Sequence, residues 1–543
     1  MPEEMLIRIF KFILVDDDRD ATFNVIFRYP RSRVKTISIV LTLSRVCKFW
    51  KATVWAYPAF WTRADGHHKD LLTRILTRAG GLPLSLFVTS NTEGLLELLA
   101  SYGPRIKRLD MAVCVGAGDV GNLSFVDGKP LECFTLNYEC LNAGLQHASP
   151  FFLFGERILP LKALSISPFT GHLPSNHFPN LTHLHLVLRV VDDVPPPLSS
   201  SFFELLSNTP MLEFLTVAGI GYSLRGLSDK AITLDVPVVL ANLRSLVFMH
   251  GGLKTVSMVL ACLSLPGTAL VRLQGVQVPT PEAPPLPQHS VVQSIDRLHI
   301  ATESTCLQLV AEGPSSGLWL QGRIANKDQA DDADEHKHDH GDEDAWSWCG
   351  WLSTLPGFIP LAQITKLEVY VGPHHTILSM LLPRMLGVIE LSVRLNRDGR
   401  QRGGLSLVRL LYQALGETDP LLCPNLRVLG IDVDENCPGV FPELYPEELK
   451  RMLIFRSRVG HSIERVVIQP FADAVMVQAG MYHSNRFDAL RSVIEVLEVR
   501  GPGIPVMSCA DDPAWERWSV EGADKYWETE LYGKAFYARP WAY

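Results

Sequence analysis

Three groupings in the sequence carry residue types that chemistry uses. His336, His338 and His340 alternate with other residues inside a run rich in Asp and Glu, and alternating imidazoles can hold a divalent metal. The same run has almost nothing apolar to bury, so its composition favours a solvated, disordered insertion at about 325–345. Gly116-Ala117-Gly118-Asp119-Val120-Gly121 has the letters of a dinucleotide-binding turn behind a strand-like segment. Asn122 to Pro130 then shows no helix whose N-terminus would face a pyrophosphate. Cys47 would be a nucleophile only beside a base, which the sequence does not place there; a small buried residue is the simpler reading. No catalytic constellation, metal site or cofactor is expected.

Charge and cysteine usage narrow the class further. Lys327 to Asp344 holds seven Asp, two Glu and two Lys, which accounts for all but about one unit of the net charge of −8. The remainder is nearly neutral and shows no basic stripe, so phosphate-directed binding of nucleic acid is not expected. Ten cysteines without a CxxC pair fit reduced thiols in the cytoplasm or nucleus rather than a disulfide scaffold or zinc finger. Thr255 to Val271 lacks charge but is broken by Ser, Pro and Gly, which reads as a buried helix and turn rather than a membrane span. Glu3, Glu4 and Arg8 sit among the first apolar residues, against a signal peptide.

Two helices are expected near the start. Met5, Leu6, Ile9, Phe10, Ile13 and Leu14 form an apolar stripe behind Pro2, whose missing N–H suits a first helical turn. A second stripe runs through Ile39, Leu43, Val46, Cys47, Trp50 and Val54, with a stop near Tyr57 because Pro58 follows. Between them Asp16 to Lys35 is polar and reads as an inserted loop. Leu71 to Ala79 predicts another short helix closed by Gly80-Gly81, and Pro83 to Val88 is strand-like.

From there one pattern returns: an apolar residue, two variable ones, an apolar residue, one variable, an apolar residue. It occurs at Ile106/Leu109/Met111, Leu131/Phe134/Leu136, Leu161/Leu164/Ile166, Leu181/Leu184/Leu186, Leu212/Leu215/Val217 and Leu243/Leu246/Phe248. It continues at Ile295/Leu298/Ile300, Ile364/Leu367/Val369, Val388/Leu391/Val393, Leu426/Leu429/Ile431, Ile463/Val466/Ile468 and Ile494/Leu497/Val499. Pro-turns such as Phe178-Pro179-Asn180 and helical runs such as Leu407 to Leu415 precede several of them. A helix, a turn and a short strand that cannot bury its apolar edge alone must stack on its neighbours, giving parallel strands in a solenoid. Each fully buried Leu-sized anchor contributes ~1.5–3 kcal/mol to that stacking.

Residues between the anchors point to the opposite face of such strands, which reads as exposed and suited to partner recognition. On it fall His183, His185, Phe214, Arg297, His299, Lys366 and Glu368, the candidate substrate-binding residues, with ordinary solvated polar positions as the alternative. The aromatic residues from Trp515 to Tyr543 suggest a cap over the open end of the stack, the alternative being a peptide groove.

The triplets resemble a leucine-rich repeat array over roughly 101–500, an irregular one whose successive anchors lie 20 to 69 residues apart. Met1-Pro2-Glu3-Glu4, Ile9-Phe10, Val46-Cys47-Lys48-Phe49-Trp50 and Trp61 resemble the F-box family, as does their place ahead of the repeats, and the insert Asp16 to Lys35 together with Leu71 to Leu86 resembles the large fungal, basidiomycete-type F-box groups. Met1 stands where family members have Leu, and Asp16 to Lys35 lengthens the spacing between the helices. The resemblance implies an α/β chain: an F-box-like helical module at 1–64 with a loop insert at 16–35, a helical linker at 65–100, irregular repeats at 101–500 and an aromatic cap or tail at 501–543. It also implies a non-catalytic substrate receptor of a Skp-cullin-F-box ubiquitin ligase. Pro2, Leu6, Ile9, Phe10, Val46, Cys47 and Trp50 would then meet a Skp-type adaptor of the cullin complex, and the repeats a protein substrate. The alternative is a leucine-rich interaction scaffold without ligase coupling.

Overall fold

A computed structural model describes residues 2–21, 31–65, 69–89, 95–114, 130–140, 152–155, 157–169, 173–188, 200–219, 236–278, 285–303, 306–324, 348, 350–371, 376–395, 407–416, 419–434, 446–471, 489–499, 518 and 520–527. The chain is mixed α/β and packs as two compact units, one of 1–249, 262–264 and 519–543, the other of 250–261 and 265–518.

The first unit opens with α1 (Glu3–Ala21), α2 (Arg31–Val46) and α3 (Lys48–Ala56). Leu6 and Phe10 of α1, Ile37, Val40 and Leu43 of α2 and Val54 of α3 are buried, the helical spacing putting each set on one face. Phe10 meets the Trp50 ring edge-on at 4.9 Å and Phe60 at 6.1 Å. Trp61 is buried, and its indole N–H donates to the Val54 carbonyl at 2.9 Å.

Two expectations for this module are corrected. Helix occupies both ends of the loop expected over 16–35: α1 continues to Ala21 and α2 begins at Arg31, leaving 22–30, outside the described residues, between them. Extending a formed helix gains a hydrogen bond for each residue ordered, so a charged stretch at its end need not stop it. The single helix expected through Val46 and Cys47 is two. Cys47 is extended (φ −158°, ψ 171°), its Sγ accepts the Trp50 N–H at 3.4 Å and its carbonyl accepts the Lys51 N–H at 2.9 Å. The thiol thus fills the capping role usually taken by Ser or Asp.

Strand β1 (Arg63–Asp65), helix α4 (Lys69–Arg78) and β2 (Leu84–Thr89) follow, with Gly80 at φ +58° just past α4, the left-handed conformation in which a closing glycine is at ease. Next come α5 (Leu95–Tyr102), β3 (Ile106–Cys114), β4 (Cys133–Cys140), β5 (Ala163–Phe169), β6 (His183–Leu188), α6 (Ser200–Ser207) and β7 (Phe214–Ala218). Strand β8 (Val238–Val239), β9 (Ser245–Met249) and β10 (Leu263–Ser264) complete the unit, β8 and β10 forming a separate parallel pair. The sheet runs β1-β2-β3-β4-β5-β6-β7-β9, parallel throughout. Within the helical stretch 65–100, the strand-like Pro83 to Val88 forms β2, which pairs with β3 and so belongs to the sheet. Leu109, Phe134, Leu164, Leu184, Leu215 and Leu246 stand in register on six adjacent strands, all fully buried or nearly so.

The second unit starts with α7 (Leu253–Ala261), in which Leu253, Val256, Val259 and Leu260 are buried, as the uncharged stretch suggested. It continues with β11 (Leu270–Val278), β12 (Arg297–Glu303), β13 (Cys306–Glu312) and β14 (Gly317–Ile324). Then follow β15 (Lys366–Val371), α8 (Thr376–Leu381), β16 (Glu390–Leu395), α9 (Leu407–Gly416), β17 (Val428–Asp434), α10 (Pro446–Arg458), β18 (Arg465–Phe471) and β19 (Val496–Val499). Parallel pairing joins β12 to β15 and then β16, β17, β18 and β19. Leu298, Leu367, Leu391, Leu429 and Val466 are in register and buried. Strands β12, β13 and β14 form an antiparallel meander, and β14 pairs in parallel with β11. Trp348 and Trp351 are buried, as expected of a return to the fold.

Every one of the twelve triplets delivers its second and third residues to a strand. Between α9 and α10 the buried Arg456 guanidinium donates to the carbonyls of Leu415, Leu422, Cys423 and His461, at 2.9, 3.0, 2.7 and 3.2 Å. A charge removed from water needs such partners to be tolerated. The in-register anchors predict that Leu391→Ala lowers stability by ~2–5 kcal/mol, while the half-exposed neighbour Glu390→Ala costs less than ~1 kcal/mol. Urea-unfolding midpoints of the two variants check this.

Candidate functional site

The helical module has two apolar surfaces. Of the candidate adaptor-binding residues, Leu6 and Phe10 are fully buried and hold the helices together; Trp50 is half-buried against Phe10. Pro2, Ile9, Val46 and Cys47 are exposed, Val46 by 57 %. Sequence reasoning missed Phe12, 70 % exposed, and Phe49, and did not separate the two stripes of α1. Met5, Ile9, Phe12 and Ile13 recur at steps of three and four and share the outer face, one residue round from Leu6 and Phe10. Because Cys47 breaks the chain direction, Val46 and Phe49 flank the break and stay in solvent.

On the strand face of the first unit, His183, His185 and Phe214 are not exposed as expected; all three are buried. The cover is the chain's own C-terminal segment 520–527. His183 Nε2 donates to the Gly522 carbonyl at 2.8 Å, its Nδ1 lies 2.8 Å from the Thr182 hydroxyl, and its ring stacks on Phe214 at 4.4 Å. Tyr526 meets His183 edge-on at 4.9 Å, and its carbonyl accepts from Arg108, which also pairs with Asp110 at 3.1 Å. Trp527 is buried against Cys133 and Ala163, with its indole N–H 3.4 Å from the Thr135 hydroxyl. Small outward residues on β4 and β5 leave the room that this ring fills. His185 lies beside it and shares a 3.0 Å hydrogen bond with Ser165.

In the second unit Trp518 packs on Val310 and Trp319 and donates to the Glu312 carboxylate at 3.1 Å. Trp518, Tyr526 and Trp527, the described aromatic residues of the stretch expected to cap the stack, thus lie on strand faces; Trp515, Tyr532, Phe536, Tyr537, Trp541 and Tyr543 lie outside the described residues. Gly317 makes the close approach possible: a Cβ there would sit 2.5 Å from the Trp518 ring.

Further along the second unit the face is open and charged. Parallel pairing sets Arg297 beside Lys366 and His299 beside Glu368. Lys366 reaches Glu368 at 3.0 Å and Glu390 at 3.1 Å, while His299 Nδ1 is 3.4 Å from Glu368. The His299 imidazole and the Lys366 ammonium hold the Glu368 carboxyl down at about 2, against the opposing effect of burial. Arg465 and Glu498 form a further pair at 2.6 Å. Such an alternating row can order a polar partner, though exposed pairs add little stability.

The Gly116–Gly121 loop, His336, His338 and His340 lie outside the described residues. None of the described helices is long and apolar enough to cross a membrane.

The buried histidines generate a pH prediction. Burial pushes the His185 imidazole down to about 4 and lowers that of His183 as well. In the unfolded chain an imidazole takes its proton near its ordinary value of 6.5. Between those values the unfolded chain binds protons that the folded one does not, so stability present above pH 6.5 is lost as the pH falls towards 4. The thermal midpoint should drop across that window, and His185→Gln should flatten the drop; equal slopes would contradict a neutral buried imidazole. Compared with known proteins, the sequence matches no family model and no curated protein.

Proposed function

We propose that the chain is a substrate-receptor subunit of a ubiquitin ligase of the Skp-cullin-F-box type, docking a Skp-type adaptor through its N-terminal helices and a protein substrate through its strand faces. The observation that carries this reading is the outer stripe Met5, Ile9, Phe12 and Ile13, an exposed apolar row on a helix whose other face is already buried. Contiguous apolar surface of that kind on a soluble module is costly unless a partner covers it. Val46, exposed at the end of α2, Phe49, exposed in the first turn of α3, and the motif residues that resemble an F-box support the same partner. Leu6 and Phe10 act from within, by fixing the angle at which α1 meets α2 and α3. The remaining chain would act by proximity, raising the local concentration of substrate lysines near the ubiquitin-loaded enzyme.

Ile9→Asp with Val46→Asp should abolish capture of a purified Skp-type adaptor by the full chain while leaving the unfolding midpoint unchanged. Leu6→Ala should instead lower stability by ~2–5 kcal/mol. A folded wild-type chain that captures no adaptor would overturn the ligase reading in favour of an interaction scaffold.

A further inference from the structure

The segment covering the first strand face is held as a bound peptide is held. Glu521, Gly522, Asp524 and Lys525 are exposed, and two of its polar contacts reach main-chain carbonyls, those of Gly522 and Tyr526. Side-chain selection rests on one adjacent pair, Tyr526 and Trp527. The receiving surface spans five strands: Arg108 on β3, Cys133 and Thr135 on β4, Ala163 on β5, His183 on β6 and Phe214 on β7. Its polar groups stand on the opposite side of the strands from the aliphatic anchors, and Asp110, Thr135, His183 and His185 are buried with the segment in place.

We propose that this face is a recognition site for a turn-forming segment bearing an adjacent Tyr-Trp pair, occupied in the resting chain by residues 522–527, and that a protein partner gains it by displacing them. A ring seated between Cys133 and Ala163 supplies apolar burial, the Thr135 hydroxyl selects an indole N–H over a phenyl ring, and Arg108 and His183 fix the peptide direction. An internal occupant makes binding competitive, since the tethered segment is present at high effective concentration. The inference rests on the reading of the strand faces as partner surfaces and is independent of ligase coupling.

The test uses the full chain and a fluorescein-labelled peptide of residues 519–530. Full chain carrying Tyr526→Ala and Trp527→Ala should bind the peptide saturably and at least tenfold more tightly than wild type. A peptide with Trp527 replaced by Ala should not bind. Binding to neither chain, or equally to both, overturns the proposal. Should the double variant unfold, a protease site introduced between residues 505 and 512 of the wild-type chain gives the second measurement. After cleavage of the folded protein, excess peptide of residues 513–530, which also carries Trp518, should exchange for the released C-terminal piece; a piece that never exchanges overturns the proposal. Adaptor capture measured on the same samples separates failure of this inference from failure of the ligase reading.

Discussion

The register of the aliphatic anchors is the constraint on which the rest depends. Leu109, Phe134, Leu164, Leu184, Leu215 and Leu246 in one unit, and Leu298, Leu367, Leu391, Leu429 and Val466 in the other, stand opposite one another on parallel strands. Side chains alternate with a period of two, so a slip of one residue would turn a strand's anchors out and its polar residues in. That penalty repeats at every strand. It permits long and variable connections, because a connection need only return the next triplet to the same place.

Fixing the inner face also fixes which residues look outward, and the two units use that face differently. In the first, small and polar outward residues accept the chain's own aromatic segment and become buried beneath it. In the second, between β12 and β16, outward residues form an alternating charged row around Lys366 and Glu368. A dry face favours a ring-bearing partner and a charged one favours a polar partner, so one architecture can offer two chemistries.

Much of this was legible because the triplets and α7 answer to local rules that the sequence states directly. The β13–β14 hairpin escaped because Leu307, Leu309 and Ala311 alternate without the spaced lead-in of the parallel strands. Cys47 escaped because periodicity reports which residues are apolar, not which thiol caps a helix. The exposure of His183 was misjudged since the residue that accepts from it, Gly522, lies 339 positions later. Where α1 has two apolar stripes side by side, the sequence shows both and cannot say which of them a neighbouring helix will cover.

In the proposed complex the adaptor covers the outer stripe of α1 and the start of α3 and leaves the strand faces to other partners. Hydrogen exchange of the full chain, with and without a Skp-type adaptor, measures this directly. Exchange should slow in residues 3–14 and 46–51, with strand amides unchanged. Protection falling on the strands, or absent from the whole chain, would contradict it.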